Sequence, residues 1–110
     1  MTLNKYQELA MRTANQLNNG QLVVNGAMGM NGESGEVIDI VKKHLFQGHD
    51  LNKDDLCEEA GDVLWYIATF ISGLGMTLQE CAERNIKKLK KRYPEGFESE
   101  KSTNREEYIQ

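Results

Sequence analysis

Apolar side chains recur at three- and four-residue intervals along most of this chain. Leu3, Tyr6, Leu9, Ala10, Thr13 and Leu17 keep that rhythm and predict an amphipathic first helix over residues 3–18, with Thr2 as N-cap. Asn18-Asn19-Gly20 reads as its stop signal. Val37, Ile40, Val41, His44 and Leu45 carry helical spacing to Phe46, but Gly26, Gly29, Gly32 and Gly35 fall at every third position upstream. Each mid-helix glycine costs roughly 1 kcal/mol relative to alanine, so propensity alone starts the second helix near Asn31. Glycines spaced by three would stack along one face and suit close approach of another backbone or a ligand. Gln47-Gly48-His49-Asp50 reads as a loop, with His44 and His49 as surface or capping residues. Asp54 or Asp55 is expected to cap a third helix reaching about Leu74, with Leu56, Ala60, Val63, Ile67 and Phe70/Ile71 on its apolar stripe. Gly73 and Gly75 end it. Thr77 and Glu80 form a capping box for a fourth helix to about Arg92, which Tyr93-Pro94 closes. The polar stretch Glu98–Gln110 is expected to be frayed or extended. The fold class is all-α.

Composition narrows the picture further. A chain of 110 residues that is 39% hydrophobic has the size of one domain and material for a modest core. One proline and ten glycines are too few turn formers for a many-stranded sandwich. The longest apolar run without charge, Val63 to Met76, contains Tyr66, Thr69, Ser72 and two glycines. It falls short of the roughly 20 apolar residues a membrane span needs. The N-terminus lacks a basic segment followed by an apolar one, so no secretory signal is expected. Cys57 and Cys81 form no CxxC pair and read as reduced thiols of a cytoplasmic protein.

Net charge is −4, unevenly spread. Residues 33–62 hold nine acids against three lysines, whereas Arg84 to Arg92 holds six cations and no acid. A duplex nucleic-acid binder would be basic overall. An acidic half beside a basic strip suits a site where cations and phosphates meet.

Two acid pairs carry the chemistry. Glu33 with Glu36, and Glu59 with Asp62, are each three residues apart on a predicted helix and so are neighbours on its surface. Both pairs border apolar stripes: Glu36 precedes Val37, and Asp62 precedes Val63-Leu64-Trp65-Tyr66-Ile67. If the two helices pack side by side, four carboxylates converge. Such hard oxygen donors suit Mg²⁺, with Mn²⁺ as a substitute, and leave room for substrate phosphates. Zinc is disfavoured because neither Cys nor His falls at ligand spacing. The alternative for each pair is a solvated helix face. Asp39 either extends the acid row or pairs with Lys42 or Lys43.

The order GESGE (32–36), then EAGDVLWY (59–66), then Asn85-Ile86-Lys87-Lys88-Leu89 and Arg92-Tyr93-Pro94-Glu95-Gly96-Phe97 resembles the MazG-like family of all-α nucleoside triphosphate pyrophosphohydrolases. Its ExxE and ExxD signatures fall on Glu33 and Glu36, and on Glu59 and Asp62. The resemblance covers about residues 3–97, leaving 98–110 as a tail, and implies a four-helix domain completed by oligomerisation as a homodimer or homotetramer. It also moves the start of the second helix back to about Leu22.

The implied reaction is hydrolysis of a nucleoside triphosphate between the α- and β-phosphates, giving a monophosphate and pyrophosphate. Glu33, Glu36, Glu59 and Asp62 would hold the divalent metal. Glu36 is preferred as general base, with Glu33 beside it in the catalytic set. Asn85, Lys88 and Arg92 share one face of the fourth helix and would bind phosphates. Lys87, Lys90 and Lys91 read as a solvated face at the helix C-terminus. Tyr66, one turn after Asp62, could stack on a base or sugar, and Trp65 reads as core or interface. Two rivals stand beside this: a relative confined to dUTP or dCTP, and a non-enzymatic helical interaction oligomer whose acids are salt-bridge partners. Neither a membrane nor duplex nucleic acid is an expected partner.

Overall fold

The computed structural model describes residues 1–96, so the stretch expected to fray, 98–110, lies outside the described residues. Four α-helices form and, among the described residues, no strand: α1 is Leu3–Met11, α2 Asn19–Gln47, α3 Lys53–Gly73 and α4 Leu78–Arg92. Among the described residues, no single helix is long and apolar enough to cross a membrane. The chain divides into two compact units, Met1–Leu78 and a second beginning at Gln79.

In the first unit, Thr2 caps α1 as expected, its Oγ1 accepting from the Lys5 amide at 3.0 Å. The helix is shorter than its apolar rhythm: Arg12–Ala14 tighten into a 3-10 turn. There the Thr13 hydroxyl donates to the Ala10 carbonyl at 2.7 Å. Such local bonding by a threonine competes with continuation of the helix.

Asn18 starts a helix rather than stopping one. Its side chain accepts from the Gln21 amide, while the Gln21 side chain accepts from the Asn18 amide, both at 2.9 Å. This reciprocal capping opens α2 ahead of both predicted starts. At its far end Gly48 turns left-handed with φ 74°, and His44 Nδ1 donates to the His49 carbonyl at 2.8 Å. The α3 cap is Asn52, whose Oδ1 accepts from the amides of Asp54 (2.9 Å) and Asp55 (3.2 Å). The two aspartates occupy the first turn instead, where a carboxylate complements the helix dipole.

Small residues let α2 and α3 approach closely and antiparallel. A Cβ on Gly26 would lie 2.6 Å from the Phe70 amide nitrogen, and one on Gly73 2.7 Å from that of Val23. Ala68 and Thr69 are fully buried, with the Thr69 hydroxyl satisfied by the Trp65 carbonyl at 2.8 Å. Gln7 ties α1 to the end of α3: its amide donates to Ser72 Oγ (2.9 Å) and the Met76 carbonyl (3.0 Å), and its Oε1 accepts from the Leu78 amide (2.7 Å). The Trp65 indole donates to Thr13 Oγ1 at 2.9 Å, a second tie between α3 and the turn after α1. The core is nonetheless thin. Its buried apolar residues are Ala10, Ala14, Leu22, Ala68, Ile71 and Leu78, whereas Met28, Ile38 and Phe46 are 72%, 68% and 79% exposed.

In the second unit, α4 ends at Arg92, two residues before Pro94, as the sequence predicts. Lys90, Lys91 and Arg92 crowd its last turn, where cations favour the helix dipole.

Candidate metal centre

The contacts between α2 and α3 define a register. Val23 meets Gly73, Gly26 meets Phe70 and Gly29 meets Tyr66, so one index falls nearly as fast as the other rises. Continued toward the C-terminal half of α2, that register sets Glu33 opposite Asp62 and Glu36 opposite Glu59. Carboxylate oxygens of Glu33, Glu59 and Asp62 do lie within 4.8 Å of one another. Glu33 and Glu59 are half-buried, and Asp62 and Glu36 are exposed. Glu36 stands outside this three-oxygen group, yet its charge reaches Glu59.

Electrostatics tie all four together. Desolvation raises the Glu59 carboxyl above its ordinary range, and the charges of Asp62, Glu33, Glu36 and Glu58 raise it further. Each of these effects disfavours the ionised acid, and a cation among the acids would reverse the sign. The donor set suits a hard divalent ion. Magnesium takes oxygens at about 2.1 Å, so no two of its ligands sit more than roughly 4.2 Å apart, and these oxygens lie within 4.8 Å of one another.

The remaining predicted residues divide by position. The Tyr66 ring lies over Gly29 of α2 and packs edge-on against Trp65, with centroids 5.0 Å apart and planes at 90°. Asn85 and Lys88 are exposed on α4 and Arg92 is half-buried there, all three in the second unit. Asp39 does not extend the acid row: it pairs with Lys43 at 3.0 Å, and this hydrogen-bonded lysine lowers its pKa. Both side chains are still more than 40% exposed, so the pair contributes little to stability.

Tyr6 was not singled out by the sequence, where it is one more apolar-stripe residue of the first helix. It is half-buried, and burial together with the charge of Asp62 raises its hydroxyl above the ordinary phenol range. Helix α1 thus brings a phenol into the field of the acid cluster. The glycine ladder also departs from expectation. A residue step of three turns the helix by about 300°, so successive glycines walk round α2 by roughly 60° each. Gly26 and Gly29 face α3, whereas a Cβ on Gly32 or Gly35 would meet nothing within 4 Å.

Comparison with known proteins shows the family. A family model described as the MazG nucleotide pyrophosphohydrolase domain matches residues 27–97, a stretch that includes all four acids and α4. Among curated proteins, the chain is 40% identical over 73 residues to the Gene 37 protein of Mycobacterium phage L5. That alignment spans 63% of this chain and 64% of the phage protein. No solved structure matches the chain.

Proposed function

From the premise that the chain belongs to the MazG nucleotide pyrophosphohydrolase family, we propose that it hydrolyses nucleoside or deoxynucleoside triphosphates at the α–β bond, releasing pyrophosphate and a monophosphate. The observation that carries the reading is the convergence of Glu33, Glu59 and Asp62 across two helices, with Glu36 opposite Glu59. Glu33, Glu36, Glu59 and Asp62 would hold Mg²⁺, or Mn²⁺ in its place. A bound ion of this kind neutralises phosphate oxygens and lowers the pKa of water in its shell. Glu36, exposed and outside the three-oxygen group, is the carboxylate best free to accept a proton from the attacking water. Glu33, beside it on the same helix, shares the catalytic role by orienting that water.

Asn85, Lys88 and Arg92 are the proposed phosphate contacts, since charge-assisted bonds to the departing pyrophosphate favour cleavage. Tyr66, one turn after Asp62, stays the proposed stacking residue for a base or sugar. The exposed Met28, Ile38, Leu45 and Phe46 along α2 exceed what a monomer usually leaves to water, and support assembly as a homodimer or homotetramer. Gly32 and Gly35, bare within the chain, fit the same reading by allowing a second backbone close to the acids. The proposed location is the cytoplasm.

The test is pyrophosphate release from a panel of ribo- and deoxyribonucleoside triphosphates with Mg²⁺, for the native chain and the Glu36→Gln/Asp62→Asn variant. Turnover in the native chain, lost in a variant of unchanged circular dichroism, is the expected result. Selective turnover of dUTP or dCTP would narrow the substrate. Equal rates in both proteins would overturn the role of the carboxylates.

A further inference from the structure

We propose that Gly29 is a positioning residue for the metal centre: its missing side chain leaves the room the Tyr66 ring occupies, so that α2 and α3 can reach the separation at which Glu33, Glu59 and Asp62 converge. The proposal rests on reading those acids as a divalent-cation site.

Gly29 lies four residues before Glu33, and Tyr66 four residues after Asp62. The glycine–ring contact is therefore the packing layer one turn, about 6 Å, from the carboxylates. A Cβ on Gly29 would run into Cγ, Cδ1 and Cε1 of Tyr66, closer than any contact made by a Cβ on Gly26 or Gly73. The ring has little freedom to yield. Trp65 packs edge-on against it, and the Trp65 indole is held in turn by Thr13. A methyl group at residue 29 must accordingly be accommodated by the helices moving apart. Metal sites need their ligands held within about 0.5 Å of productive geometry, so a shift of that order one turn away reaches the ion. Gly73, by contrast, also seats α2 against α3 closely but sits eleven residues beyond Asp62, roughly 16 Å along α3.

Free Mn²⁺ in a titration, followed by electron paramagnetic resonance, reads the site without reference to turnover. The proteins to compare are the native chain, Gly29→Ala, Tyr66→Ala, the double variant, Gly73→Ala and Glu59→Gln. Gly29→Ala is expected to weaken Mn²⁺ binding by about tenfold or more, the scale on which outer-shell support usually acts. Tyr66→Ala leaves affinity within about threefold of native, and so does the double variant, because the methyl group is harmful only while the ring is present. Gly73→Ala lowers the melting temperature but keeps native affinity, which separates positioning from general loss of packing. If Gly29→Ala fails to fold, the double variant decides: it must fold and bind Mn²⁺. Native affinity in Gly29→Ala, or a double variant as weak as Gly29→Ala, overturns the proposal alone. A native chain that takes up no Mn²⁺, or takes it up equally after Glu59→Gln, overturns the metal-site reading and this proposal together.

Discussion

Gln7 offers the sharpest stability prediction, because one side chain satisfies three groups of distant sequence. It is nine-tenths buried, donating to Ser72 Oγ and the Met76 carbonyl and accepting from the Leu78 amide. Gln7→Ala removes all three bonds. The Ser72 hydroxyl can rotate toward another partner, but the Met76 carbonyl and the amide of buried Leu78 are fixed by the backbone. A buried group left unsatisfied costs about 1–3 kcal/mol; with the Leu78 amide buried and the Met76 carbonyl part-buried, the two together cost roughly 3 kcal/mol. For a domain of this size each kcal/mol lowers the melting temperature by about 4–8 °C, giving a fall of roughly 12–24 °C. Gln7→Met, similar in length but without polar atoms, should be as harmful to within about 1 kcal/mol, because the loss lies in the stranded partners rather than in volume. The assay is thermal or urea unfolding followed by circular dichroism, at one fixed protein concentration because assembly links stability to concentration. A cost below about 1 kcal/mol for Gln7→Ala would refute the reasoning, as would full rescue by Gln7→Met.

Gly26→Ala sets a Cβ 2.6 Å from the Phe70 amide nitrogen, where no flexible atom can give way; overpacking of this kind costs about 1–3 kcal/mol, and urea unfolding should show it. Trp65→Phe removes the indole bond to Thr13, whose hydroxyl still donates to Ala10, and trims the edge-on contact with Tyr66, so a loss of about 1–2 kcal/mol in the same assay is expected. The raised Glu59 carboxyl binds a proton more tightly in the folded than in the unfolded state. Metal-free stability should therefore fall as pH rises from the ordinary glutamate pKa through the raised one. In melting curves against pH, Glu59→Gln should flatten that fall, and Mg²⁺ should oppose it in the native chain; an unchanged slope in the variant would count against the carboxylate cluster.

The all-α class and the ends of three helices were legible because each rests on local or periodic signals, whereas the meeting of the acid pairs was conditional on two helices packing side by side. Thr2 before Leu3, and Pro94 after Arg92, mark helix ends by their own chemistry. Asn18 did not reveal its role, since the same residue types both end helices and cap them, and only Gln21 reaching back decides between the two. Asn52 was passed over for Asp54 and Asp55 because all three are good caps, and which one acts depends on where the chain enters the helix. The acid pairs could be read from their spacing, but which of the four oxygens come together, with Glu36 apart from the other three, lies in tertiary contacts. The same is true of Tyr6, whose approach to Asp62 depends on how α1 crosses α3. The difference between Gly29 and Gly32 likewise follows from the 3.6-residue turn, which a count of glycines does not express.

The central claim is that carboxylates from α2 and α3 support metal-dependent cleavage of a nucleotide anhydride. Phosphorus-31 nuclear magnetic resonance of one reaction tests it most directly, with a deoxynucleoside triphosphate, the native chain and Mg²⁺, followed by addition of excess chelator. Monophosphate and pyrophosphate should appear in equal amounts and stop accumulating once the metal is removed. Orthophosphate with a diphosphate product, or turnover that continues in chelator, would contradict it.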